Sequence, residues 1–193
     1  MTFRTGATFS DDMKYRYRLW RHWDDGLLAL MFLLLNPSTA DEFENDPTVT
    51  RCMERAKRMG FGGVEICNLY AYRATDPKEL YGPPDAAALA LDDAAINDFD
   101  PIGEDNPTEI YAAVGVSGAV ICGWGVHGEK IAPPWPAMVL QGLALQLEGW
   151  EKPLLHLGLN DDGSPKHPLY IGYDVPVEPF GWPDDDSASS ASG

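Results

Sequence analysis

The sequence predicts an α/β fold: three layers, α/β/α, around a mostly parallel central sheet, with an N-terminal hairpin. Two observations lead there. Four apolar runs of strand length, residues 27–35, 64–69, 119–125 and 154–158, are separated by segments of helical character; strands alternating with helices imply crossovers and parallel neighbours. The 193 residues are 45% hydrophobic and 23% charged, enough for one domain with a real core. That domain is expected over residues 1–183, and the acidic, Ser/Ala-rich residues 184–193 are expected to form a disordered tail.

Residues 15–20 alternate bulky and basic side chains, and Asp24-Asp25-Gly26 is a turn signal ahead of the apolar run 27–35. Together they predict a hairpin whose second strand is buried on both faces. A polar loop follows, and Asp46-Pro47-Thr48 predicts a helix start. Val49, Met53, Ala56 and Met59 then recur at helical spacing until Gly60. Residues 64–69 predict the next core strand and 70–77 a loop. The Ala/Leu-rich stretch 85–99 predicts a helix, followed by a Pro/Gly/Asn linker. Residues 119–125 predict the third core strand, 136–147 a helix weakened by Gly142, and 154–158 the fourth strand. The loop after it carries His167-Pro168-Leu169-Tyr170.

Thirty Asp and Glu stand against 14 Lys and Arg, a formal net charge of −16. This excludes a uniformly basic coat for nucleic acid, so phosphate recognition needs a small local patch. Cys52, Cys67 and Cys122 form no CxxC pair and cannot complete a four-cysteine metal site. Neither HExxH nor an Asp/Glu repeat suggests a metal, so no metal and no cofactor are expected. The longest apolar run, 27–35, is too short to cross a bilayer, and the opening residues do not read as a signal peptide. The expectation is a cytoplasmic protein with reduced thiols and no membrane partner. GxSxG, Walker and GxGxxG motifs are absent, and Gly60-Phe61-Gly62-Gly63 precedes a strand rather than a helix.

In open α/β sheets, ligands bind outside the carboxyl ends of the strands. All four predicted strands end in polar or turn-forming residues: Asn36-Pro37-Ser38-Thr39, Asn68-Leu69-Tyr70, Gly123-Trp124-Gly125 and the loop to His167. A parallel sheet would bring these ends to one edge. Asn36 can hold a water and face a substrate, or cap a turn. Ser38 and Thr39 can cradle a phosphate or serve as plain caps. The Asn68 carboxamide offers donor and acceptor in one plane, matching a base edge, or satisfies its own loop. Tyr70 can stack on a base or sit in the core. Arg73 is a candidate phosphate contact. His167, on a loop, can donate a hydrogen bond to a developing oxyanion; His127 is a weaker candidate.

The order of these motifs resembles the uracil-DNA glycosylase superfamily. Leu34-Leu35-Asn36-Pro37-Ser38 is similar to its water-activating motif in the Asn-Pro form. Glu65-Ile66-Cys67-Asn68-Leu69 resembles the strand whose terminal Asn pairs with the base edge. Val120-Ile121-Cys122-Gly123-Trp124-Gly125 is similar to its apolar strand ending in Trp-Gly, and His167-Pro168-Leu169-Tyr170 to its final His-Pro motif. More closely, Leu35-Asn36-Pro37-Ser38-Thr39-Ala40-Asp41, Asn45-Asp46-Pro47-Thr48 and His167-Pro168-Leu169-Tyr170 resemble an uncharacterised domain family of bacteria and phages. The glycosylase resemblance implies a nucleobase, nucleotide or DNA as partner and an N-glycosidic bond as target. It implies Asn36 and His167 as catalytic residues, oriented on the water and the base oxygen, and Asn68 on the base edge. Tyr70 or Phe43 would stack on the base; Ser38, Arg51 or Arg73 would hold phosphate; Leu169 or Tyr170 would fill the gap left by a flipped base. Pro37, Thr39 and Trp124 complete the expected binding set. Two other readings stay open: a module that binds a nucleotide or modified base without cleaving it, and an acidic interaction protein that mimics DNA.

Overall fold

The computed structural model describes residues 3–82, 99–132, 134–147 and 152–181. Its strands are β1 (Arg4–Phe9), β2 (Arg16–His22), β3 (Ala29–Leu34), β4 (Gly63–Asn68), β5 (Ser117–Gly123), β6 (Leu154–His156) and β7 (Glu178–Pro179). The helices among the described residues are α1 (Pro47–Arg58), α2 (Asn106–Val116), α3 (Gly128–Ile131) and α4 (Trp135–Leu147). All seven strands join one sheet in the order β1-β2-β4-β3-β5-β6-β7.

β3 is buried at every position, as its continuous Ala-Leu-Met-Phe-Leu-Leu run requires. Because side chains alternate across a strand, the run feeds two cores. Met31, Leu33 and Leu35 pack with Ile110, Ala113 and Val114 of α2 and Val139, Leu140 and Leu143 of α4. Leu30, Phe32 and Leu34 pack with Val49, Cys52 and Ala56 of α1. Each fully buried Leu or Phe is worth about 1.5–3 kcal/mol. Helices therefore cover both faces of the central strands, which explains why no polar residue interrupts β3. α1 begins where its chemistry dictates: Asp46 accepts from Val49 N–H at 2.8 Å, and Pro47 occupies the first turn. Arg55, Lys57 and Arg58 fill its last turn, favourable against the helix dipole, and Gly60 at φ +81° lets the chain turn away.

The sheet is mixed, not mostly parallel. β4, β3, β5 and β6 run parallel to one another, while β1, β2 and β7 add antiparallel edges. The expected hairpin of residues 15–35 is also not the one that forms. β4 inserts between β2 and β3, so β2 pairs antiparallel with β4 on one side and with β1 on the other. The N-terminal hairpin is β1–β2. The stretch expected to be a linker before the third core strand holds α2, opened by Asn106-Pro107. The helix expected at 85–99 and the tail at 184–193 fall on residues outside the described ones, apart from Phe99.

Candidate functional site

The parallel strands end level with one another. Leu34 on β3 is paired with Asn68 on β4 and with Gly123 on β5. The chain leaves β3 for β4 on one side, then crosses back to β5 on the other, so strand order reverses around β3. That reversal opens a crevice at the carboxyl edge. A cavity of about 720 Å³ occupies it. Of the predicted residues it brings together Asn36, Ser38, Asn68, Trp124, His127, His167 and Tyr170, between apolar walls of Leu34, Leu35, Val49 and Ile66. Among the described residues, no group of three or more His, Cys, Asp or Glu could hold a metal ion.

Asn36 stands two residues beyond Leu34, the last residue of β3. Its Nδ2 donates to Pro37 O at 3.0 Å and Ala74 O at 2.7 Å. Both acceptors are carbonyls, which fixes the amide nitrogen on that side and leaves Oδ1 as the free acceptor. Two buried arginines of β2 pin the loop that follows. Arg16 Nη1 donates to Ala40 O at 2.8 Å, and Arg21 reaches Asp41 O at 2.6 Å and Asn45 Oδ1 at 2.9 Å.

Asn68 is only 1% exposed, yet its Oδ1 has no hydrogen-bond partner among the described residues. The backbone around it is firmly held: Asn106 Nδ2 donates to Asn68 O and Leu69 O, both at 3.0 Å, and Trp135 Nε1 to Leu69 O at 2.6 Å. Buried Trp124, on the same cavity, likewise leaves Nε1 without a partner. A buried polar atom left unpaired costs about 1–3 kcal/mol. With Arg16 Nε, three such atoms belong to residues lining this one cavity, where a water or a ligand group can pair them.

Pro168 reaches close to the end of β5 because residue 123 is glycine: a Cβ there would lie 2.8 Å from Pro168 Cδ. This close approach seats His167 at the cavity. Its Nδ1 accepts from Leu169 N–H at 3.4 Å, so in the neutral ring the proton sits on Nε2. Burial pushes the His167 pKa below its ordinary value, against an upward pull from Asp46. The result is a neutral imidazole able to donate from Nε2.

Three charged lining residues lie outside the predicted set: Arg16, Asp46 and Lys166. Arg16 is 3% exposed, its Nε has no partner among the described residues, and burial lowers its pKa to about 10 despite Asp46; it stays cationic at neutral pH. The signal in the sequence is a strand on which Arg16, Arg18 and Arg21 are interspersed with Tyr, Leu and Trp, and an aspartate directly before a helix-opening proline.

Several predicted roles do not match the positions found. Tyr70 is fully buried and does not line the cavity: its hydroxyl donates to Gly128 O at 2.6 Å and accepts from Ala132 N–H at 3.2 Å, and burial pushes its pKa up to about 12. Phe43 is 80% exposed and does not line the cavity; it sits in a turn held by Asp41, whose Oδ1 accepts from the N–H groups of Phe43 and Glu44. Arg51 lies in a separate groove with Leu169, its guanidinium 4.5 Å from the Tyr173 ring centre. Arg73 and Thr39 line another depression, where Arg73 donates to Met13 O at 3.1 Å. Pro37 acts through its carbonyl, which accepts from Asn36 and from Ala74 N–H.

Residues 16–169 match one family model, described as Protein of unknown function (DUF1643). No curated protein and no solved structure matches the chain. No helix among the described residues is long and apolar enough to cross a membrane.

Proposed function

The chain belongs to the DUF1643 family, and from that premise we propose that it recognises a nucleobase in the cavity at the strand ends and hydrolyses the bond joining that base to its sugar. The observation that carries this reading is the meeting, on one apolar-walled cavity, of an Asn68 amide whose Oδ1 is unpartnered among the described residues and an Nε2-protonated, neutral His167. Releasing a base places negative charge on the ring. A neutral donor aimed at a ring oxygen stabilises that charge more in the transition state than in the ground state. The Asn68 amide pairs with the base edge, and Asn36 Oδ1 accepts a hydrogen from the attacking water. As the bond from C1′ to the ring nitrogen breaks, its electron pair passes to the base. Water adds to C1′ and its proton is lost to solvent. Helices on both faces of the sheet support a three-layer α/β/α arrangement like that of uracil-DNA glycosylases. Three buried, free cysteines suit a reducing, cytoplasmic setting.

The test is base release, followed by chromatography, from oligonucleotides and free nucleotides carrying normal, deaminated and alkylated bases. Expected is release from at least one substrate, reduced about 10²–10³-fold in His167→Ala, the usual cost of one oxyanion donor. No release and no binding of any base would defeat the proposal. A second reading, binding without cleavage, draws on Asn36: its amide nitrogen is occupied by two carbonyls, leaving one acceptor for a water. Recovery of an intact nucleotide with the purified protein, together with absent base release, would favour it.

A further inference from the structure

We propose that the ligand of this cavity carries a terminal oxyanion, in the class of nucleoside 5′-monophosphates, and that Arg16 holds the phosphate. The proposal rests on the base-recognition reading above and adds the identity of the base's attachment. Arg16 is 3% exposed and lines the same cavity as Asn68 and His167. A guanidinium has five N–H donors. Here Nη1 donates to Ala40 O, and among the described residues Nε has no partner and no carboxylate lies within ion-pair distance. Holding one carbonyl does not require a cation, and burying an unpaired charge is expensive. The one acid on the cavity, Asp46, acts on Arg16 through space without forming an ion pair with it, and its Oδ1 accepts from Val49 N–H in the first turn of α1. The missing counter-charge is most simply a ligand's.

Charge and shape narrow the class. The cavity's lining carries Arg16 and Lys166 against the single carboxylate of Asp46, in a chain of net charge −16. A small anion is therefore drawn to this spot while the rest of the surface repels an extended polyanion. A cation this deeply buried can be reached only by a group that ends a molecule. A phosphomonoester ends one; an internal phosphodiester continues as chain in both directions. About 720 Å³ is ordinary space for a ligand of nucleotide size.

The experiment is calorimetry on the full chain with adenosine, guanosine, cytidine, uridine and thymidine, each against its 5′-monophosphate, and with inorganic phosphate and 5-carboxyuracil. Expected is at least one pair in which the monophosphate binds about tenfold or more tightly than the nucleoside. Arg16→Gln should erase that difference, and Arg16→Lys should keep part of it. Thermal unfolding of both variants reports whether they fold. Equal affinities within every pair, an unchanged preference in Arg16→Gln, or no binding by any probe would overturn the proposal. So would an Arg16-dependent preference for 5-carboxyuracil over the monophosphates, which would put the oxyanion on the base. Failure of the base reading looks different: monophosphates and inorganic phosphate would bind through Arg16 irrespective of the base and of Asn68. If instead nucleosides bind through Asn68 and phosphate adds nothing, the anion site alone fails.

Discussion

Replacing Asn68 with leucine should make the protein more stable and abolish ligand binding. Asn68 lies at the end of β4, 1% exposed, with Oδ1 buried and unpartnered. Burying such an atom without a hydrogen bond costs about 1–3 kcal/mol. Leucine has a similar shape and no polar atom, and its neighbours on the cavity wall include Leu34 and Ile66. The backbone that Asn106 and Trp135 hold is untouched by the change. Allowing for imperfect fit, the gain should be about 1–2 kcal/mol, a rise in Tm of about 2–8 °C for a chain of this length. Urea unfolding at an unchanged m value reads the difference directly, and calorimetry with the best-binding nucleoside reads the loss of affinity. A variant destabilised by about 1 kcal/mol or more would mean that the amide already has a structural partner. Retained affinity would mean that Asn68 does not touch the ligand.

Other perturbations separate support from recognition. Tyr70→Phe removes a hydroxyl that bridges Gly128 O and Ala132 N–H; urea unfolding should show a loss of about 1–3 kcal/mol, with nucleoside affinity unchanged. Gly123→Ala places a Cβ 2.8 Å from Pro168 Cδ and should displace the His167 loop, costing about 1–3 kcal/mol and weakening binding measured by calorimetry. His167 has a folded-state pKa below its ordinary 6.5, so folding disfavours its protonated form. Its contribution to stability is complete above about pH 6.5 and is lost as pH falls through the lowered value. Tm measured from pH 7.5 to 4.5 should fall more steeply in the wild type than in His167→Gln; parallel curves would contradict the shift.

The central strands were legible because burial on both faces leaves an unmistakable run, as in Leu30 to Leu34, and α1 because Asp46, Pro47 and Gly60 each carry a local signal. The convergence of strand ends followed from parallel order alone. Pairing partners were not legible: Asp24-Asp25-Gly26 reads as a hairpin turn, yet β4, about forty residues further on, takes the place beside β2. Long-range pairing depends on which strands share buried faces, and periodicity within one strand does not encode it. Tyr70 illustrates the same limit at the site. Its position two residues beyond Asn68 suggested a stacking ring, but the chain has already turned inward there and its hydroxyl meets α3. Arg16 escaped notice because a basic residue alternating with aromatics looks like the wet face of an edge strand; β2 is covered on both sides by β1 and β4.

A crystal structure of the protein with its tightest-binding nucleoside or nucleotide puts the base-recognition proposal to the most direct trial. Expected is a base lying between Leu34 and Ile66, its edge on the Asn68 amide and a ring oxygen within hydrogen-bond distance of His167 Nε2. Density for the base in the Arg51–Tyr173 groove, or bound with its edge turned away from Asn68 and His167, would contradict it.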